Sequence, residues 1–317
     1  MKKTWYLIIG VVLLVIGCIA YGYHEHYKPK TAQELKTVRV AYLPITHALP
    51  VFATKELETA DGPVHVELVK YGSWPELMDA LNTGKVDAAA VLVELGVKAR
   101  EQGIDVRAAA LGHTEGNIII VNKDINSVQD LKGKSFAIPH KQSTQKILVD
   151  CMLEQAGLSE KDVQIVEMSP PEMPSALSVG QIAGYSVAEP FGSLALEMGT
   201  GKVFEDPDHL WHDNICCALV FNGQFVDEHH DLAKAFTKAY LDAGTYLDEH
   251  PKAQEEISSK YMKFNDSVIE RSLKVIGFKD LALTEDRYNA LVHHMTHIDL
   301  IKKVPTYSEF VDTSLLP

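Results

Sequence analysis

Seven stretches of this 317-residue chain put polar, acidic, imidazole or thiol side chains at one end of an apolar strand. They are Thr46-His47, Ser73-Trp74, Glu94, His113, the loop carrying His140, Gln142, Ser143 and Thr144, then Glu189, and Cys216-Cys217. In open α/β sheets, ligands sit beyond the carboxyl ends of the strands, so these residues are the candidate binding set. Ser73 and the Ser143-Thr144 turn begin helices, where free amides and a positive dipole end suit an acid group. Glu94 and Glu189 pull the other way, because carboxylates repel a bare anion where water is sparse. Of the five arginines none lies in these loops, so a bidentate clamp on an oxyanion is missing. A solute meeting both carboxylates should carry hydrogen-bond donors or positive charge besides any acid group.

Each group also has a plainer role: helix caps for the serines and Glu94, a hinge contact for Glu189, and helix cover for Trp74. Zinc wants four N, S or O ligands, which one thiolate with His47, His140 or a cleft glutamate could supply. Alternation in a strand predicts that at most one of Cys216 and Cys217 faces the cleft while the other packs in the core. The binding set therefore takes Cys216 alone, and no metal or cofactor is assigned. His293 and His297 have metal spacing, but with His294 between them they read as a helix face. A Cys-His nucleophile lacks any feature that places the pair together. No Gly-x-Ser-x-Gly elbow, Walker-type loop or His-Glu-x-x-His is present, so enzyme readings find little support.

The elements that must position these residues alternate. Strands are predicted at 38–43, 64–69, 86–93, 106–111 and 117–121, with a helix at 94–102. The pattern restarts with a short helix at 127–132, a strand at 135–138, a helix at 144–156 closed by Gly157, and strands at 163–166 and 182–187. A strand at 215–221 returns the chain to the first lobe, and 228–317 is largely helical, with Leu232, Phe236 and Tyr240 on one face. This alternation predicts an α/β fold.

Residues 73–84 and 169–180 are two versions of one segment. They share the serine, the second proline, the glutamate, Ala-Leu and the closing glycine at an offset of 96 residues. The register extends to Ala41 with Ala137 and Gly96 with Gly192. Each copy predicts a capping box, Ser73 with Glu76 and Ser169 with Glu172, and a glycine C-cap. Two similar lobes with a ligand cleft between them follow.

The N-terminus sets the expected compartment. Lys2 and Lys3 precede an apolar run, and Val15-Ile16-Gly17-Cys18 follows. This predicts a lipoprotein signal peptide at 1–17, lipidation of Cys18, and a polar tether at 18–37. Removing residues 1–17 takes away two lysines and moves the net charge from −13 to −15. Such an acidic chain has no electrostatic footprint for nucleic acid. Besides Cys18, only Cys151, Cys216 and Cys217 remain, which is no disulfide framework.

Val-Arg-Val-Ala-Tyr-Leu-Pro at 38–44, Asp-Leu-Lys-Gly-Lys at 130–134, Ala-Glu-Pro-Phe at 188–191 and Phe-Val-Asp-Thr-Ser at 310–314 occur in a specific order. They resemble the solute-binding lipoproteins of ABC importers in the nitrate, sulfonate and taurine class, which includes relatives that bind thiamine precursors. The resemblance implies a two-lobed type II periplasmic-binding-protein fold with a hinge and a helical C-terminal part. Lobe 1 would comprise 38–122 plus 218–317, and lobe 2 126–213. It implies a monomer on the outer face of the cytoplasmic membrane. That monomer would capture a small polar, acid-bearing solute and deliver it to an ABC permease and its ATPase, performing no chemistry. The loop matching 139–144 would touch the acid group. A zinc receptor and a secreted enzyme of thiamine-precursor type on the same fold are the alternatives.

Overall fold

A computed structural model describes residues 36–317; the signal, Cys18 and the tether up to residue 35 lie outside the described residues. The strands are β1 (Thr37–Tyr42), β2 (His65–Lys70), β3 (Ala88–Leu92), β4 (Val106–Leu111), β5 (Thr114–Glu115) and β6 (Asn117–Asn122). They continue with β7 (Ser135–Ile138), β8 (Gln164–Glu167), β9 (Gly184–Ala188), β10 (Gly201–Glu205), β11 (Cys217–Asn222) and β12 (Ile276–Gly277).

Two five-stranded sheets result, ordered β2-β1-β3-β11-β4 and β8-β7-β9-β6-β10. In each sheet parallel strands (β1 with β3, and β7 with β8 and β9) are joined by a strand that has crossed from the other sheet and runs antiparallel to its neighbour. That strand is β11 beside β3 in one sheet and β6 beside β9 in the other. The repeat in the sequence is therefore a repeat in topology: the helix Trp74–Asn82 links β2 to β3 as the helix Met173–Ser178 links β8 to β9. Each sheet with its packed helices forms a lobe.

The copies also end alike. Gly84 and Gly180 have φ of 70° and 72°, a left-handed conformation that a Cβ would strain. Behind them, Lys85 N donates to Ala80 O and Gln181 N to Ala176 O, both at 2.9 Å, the wrapped C-terminal bond expected of a glycine cap. The predicted capping boxes do not form, because neither the Ser73 nor the Ser169 side chain makes a cap hydrogen bond. Pro75, and Pro170 with Pro171, remove amides that a cap would serve, and Glu172 N bonds the Ser169 carbonyl at 2.9 Å instead.

The segment 117–121, expected in lobe 1, is instead part of β6 in the second sheet, between β9 and β10. An isolated apolar run says nothing about which sheet it joins, and its partners are set by the crossing that precedes it. The long helix His230–Glu249 packs on the helix Leu49–Leu57. Phe236 and Tyr240 are fully buried, each side chain contributing about 1.5–3 kcal/mol of burial. Tyr240 Oη donates to Leu111 O at 3.1 Å, so the C-terminal part props the end of β4, next to His113.

Candidate functional site

Three strand ends of the first sheet converge. After β1 a single 3-10 turn, Thr46–Ala48, presents His47; β4 runs out into Gly112-His113; and β11 begins at Cys217 with Cys216 just before it. One ligand atom from each of His47, His113, Cys216 and Cys217 lies within 4.8 Å of the others, and all four residues are buried. His47 Nδ1 is 3.6 Å from Cys216 Sγ and 3.5 Å from Cys217 Sγ, and the sulfurs are 3.8 Å apart. Both cysteines therefore face the site, contrary to the alternation argument. Cys216 precedes the strand, where the two-residue period does not yet hold, so consecutive side chains can point together.

His47 Nε2 lies 2.9 Å from the carbonyl of Gly116. A carbonyl only accepts, so Nε2 carries a proton, and Nδ1 is the nitrogen turned toward the sulfurs. The His113 ring packs against His47 at 3.6 Å between centroids with the planes tilted by 38°, and neither of its nitrogens has a hydrogen-bond partner. Burial, then the neighbouring His47, bring His113 down to about 4, so it is neutral with a lone pair available. Burial opposes ionisation of Cys216, but the Cys217 thiol and the two imidazoles outweigh it and hold Cys216 well below the ordinary thiol range. Burial and then Cys216 push Cys217 well above that range. An orphaned imidazole beside an ionisable thiol pair is costly unless something binds both.

The second lobe closes over this cluster. Gln145, fully buried, donates from Nε2 to Asn117 Oδ1 at 2.7 Å and to Cys216 Sγ at 3.3 Å. Thr144 Oγ1 lies 2.6 Å from Glu94 Oε1 and 2.7 Å from Ile215 O. One hydroxyl has one proton, so both contacts are hydrogen bonds when Glu94 is itself protonated and donates to Thr144. Burial, then Cys216, raise Glu94 well above the carboxylate range, in agreement. Thr46 joins the lobes from the other side, donating from N and Oγ1 to the Glu189 carbonyl at 3.1 and 2.9 Å.

Other expected residues lie elsewhere or are committed. The Glu189 carboxylate accepts from Ser193 N and Oγ at 2.9 and 2.8 Å. Ser143 Oγ caps its helix by accepting from Lys146 N at 3.1 Å and donates to His140 O at 2.7 Å. His140 Nδ1 accepts from Gln142 N at 3.0 Å and its Nε2 faces Glu167 at 4.0 Å, so this loop is tied within lobe 2. Ser73 starts its helix, and Trp74 is buried in the core. Sequence reasoning missed Cys217, Gln145 and Asn117. Adjacency of Cys217 to Cys216 was a signal for the first, while nothing local distinguishes the two amides.

A profile of the NMT1-like family matches residues 31–261. The chain is 35% identical to the zinc-bound ligand binding component of an ABC-type import system from Staphylococcus aureus. That match covers 88% of this chain and 97% of that one, with a TM-score of 0.84. It is 28% identical over 285 residues to a putative aliphatic sulfonates-binding protein of Bacillus subtilis (strain 168), covering 86% of this chain and 82% of that protein. It is also 25% identical over 239 residues, 68% of its length, to the nitrate import ATP-binding protein NrtC of Synechocystis sp., spanning only 36% of that protein. The periplasmic nitrate-binding protein NrtA from Synechocystis PCC 6803 shares the fold, with a TM-score of 0.79 at 17% identity, covering 90% of this chain and 88% of that one. Taken with the mirrored sheets and the site between them, these matches show that the chain has the periplasmic-binding-protein fold and belongs to the NMT1-like family.

Proposed function

We propose that this protein is the solute receptor of an ABC importer and that its solute is a divalent metal ion of the zinc class. The ligands are His47 Nδ1, one ring nitrogen of His113, and the sulfurs of Cys216 and Cys217. One observation carries the reading: three separations match the edges of a zinc N/S tetrahedron. Bond lengths of about 2.0–2.1 Å to nitrogen and 2.3 Å to sulfur put N and S about 3.5–3.6 Å apart and S and S about 3.8 Å apart. The corresponding distances here are 3.6, 3.5 and 3.8 Å. Two thiolates neutralise a dication, so the loaded site carries no net charge into its buried setting. The zinc bound to the Staphylococcus aureus relative supports the same class.

The remaining parts of the reading follow from the sequence. Lipid on Cys18 holds the receptor at the outer face of the cytoplasmic membrane, a reading supported by Lys2 and Lys3, the apolar run after them and Val15-Ile16-Gly17-Cys18. The receptor is a monomer of two lobes that transfers its solute to a permease and its ATPase without altering it. Replacing Cys18 with Ala should move the protein from the membrane fraction to the soluble fraction or leave a precursor.

A sulfonate- or nitrate-class solute is the second reading, favoured by the names of several relatives. The absence of arginine from these loops weighs against it. Calorimetry on reduced protein separates the two, with zinc, taurine, methanesulfonate and nitrate as titrants. One-to-one zinc binding is expected. Heat with an anion and none with zinc would overturn the metal reading and leave the importer receptor standing.

A further inference from the structure

All four proposed ligands lie on the first sheet's side of the cleft, at the ends of β1 and β4 and the start of β11. The second lobe supplies none. It nonetheless touches the cluster at one sulfur, through Gln145, the second residue of the helix Thr144–Gln155.

The direction of that contact is set by a chain of amides. Asn214 Nδ2 donates to the Trp211 carbonyl at 3.2 Å, and a carbonyl can only accept. The oxygen of Asn214 therefore accepts from Asn117 Nδ2, at 3.1 Å. The oxygen of Asn117 in turn accepts from Gln145 Nε2, at 2.7 Å. Reversing any one amide would set oxygen against oxygen or nitrogen against nitrogen along the chain. Gln145 thus presents its second N–H, never its oxygen, to Cys216 Sγ at 3.3 Å. Gln145, Asn117 and Asn214 are all buried, so the chain is held by packing and has no competition from water.

Resting on the metal reading above, we infer that Gln145 is the positioning residue by which lobe 2 detects a loaded site. Metal binds lobe 1 alone. The metal-bound Cys216 sulfur then accepts the Gln145 N–H and favours the closed arrangement. Closure is a population shift whose size is the differential interaction of lobe 2 with the two states of lobe 1. A hydrogen bond to a charged sulfur that exists only when the lobes meet is such a difference. The device also discriminates: an ion held without Cys216 gives lobe 2 nothing to recognise.

The test uses Gln145→Met, which keeps length and volume while removing both donors, with Asn117→Ala as an independent break in the amide chain. Small-angle scattering is recorded with and without saturating zinc. The charge-transfer band from sulfur to cobalt is recorded on the cobalt-loaded protein. Wild type should close on zinc. Both variants should still bind one zinc, weakened about ten- to a hundred-fold as is usual for partners that orient metal ligands. They should stay open at saturation and shift the sulfur-to-cobalt band to lower energy. Closure and cobalt spectra identical to wild type in Gln145→Met would overturn the inference while leaving the metal reading intact. Failure of wild type itself to bind zinc would overturn both.

Discussion

Nε2 of His47 and the carbonyl oxygen of Gly116 lie 2.9 Å apart, and the same oxygen accepts from Glu189 N at 3.1 Å. Gly116 has φ of +82°, and a Cβ there would sit 3.1 Å from that imidazole nitrogen and 2.8 Å from Ile276. A glycine is required for the crossing strand to bring its carbonyl against His47. One backbone oxygen thereby fixes the imidazole tautomer on lobe 1 and anchors the end of β9 on lobe 2.

His113 should show opposite effects on binding and stability. Its two ring nitrogens are buried without partners, so His113→Leu should raise unfolding free energy by about 1–2 kcal/mol in chelator. The same change removes a ligand and should weaken zinc binding by at least about a hundred-fold. Urea unfolding and competition with a chromophoric chelator check the two arms. Lower stability with unchanged affinity would assign His113 to the core.

Thr144→Val keeps shape and removes the hydroxyl between Glu94 and Ile215. Two buried oxygens then lose their partner, which should cost about 1–3 kcal/mol in unfolding experiments. Infrared spectra should show the C=O band of a protonated carboxyl group in wild type that vanishes in Glu94→Gln. A carboxylate band lost instead would mean that Glu94 is charged.

Glu101 predicts a pH dependence. The Lys98 ammonium, then the backbone amides of Lys303 and Lys302, hold it at about 2, below its ordinary 4.5. Its two amide contacts, at 2.9 and 2.7 Å, tie the chain after β12 to the helix Val93–Glu101. A depressed carboxylate stabilises the fold above its unfolded value, and that stability fades as pH falls from about 4.5 toward 2. Stability from urea titrations should fall with acid across this window in wild type, with a smaller slope in Glu101→Gln. Equal slopes would discard the tether.

Gly84→Ala and Gly180→Ala should cost about the same, on the order of 1–2 kcal/mol each, because left-handed backbone is strained by any Cβ. An added Cβ at Gly180 meets nothing within 4 Å, and at Gly84 its nearest neighbour is Asn222 at 3.7 Å. Neither cost would come from a clash. Thermal unfolding unchanged in Gly180→Ala would mean that the turn relaxes out of the left-handed region.

Much of this protein is local and therefore readable along the chain. The strands at β1, β3, β4 and β7 are short apolar runs flanked by breakers, and the repeat at an offset of 96 residues is legible along the chain as two copies of one capped helix and strand. His47, His113 and Glu94 were visible as polar residues beyond the carboxyl ends of parallel strands, where such a sheet can bind, whereas Cys216 precedes the antiparallel β11 and was visible only as a thiol at the start of an apolar run. Tertiary structure decided what pairing alone can fix. Whether β6 belongs to the first or second sheet depends on hydrogen bonds to β9 and β10, far away in sequence. Whether Cys217 turns toward His47 depends on where β11 begins, a matter of one residue in register. Gln145 and Asn117 look like any helix and strand amides until the lobes meet. Their role lies in an N–H whose direction is set by a carbonyl at Trp211, and no local pattern encodes a donor chain that spans separate elements.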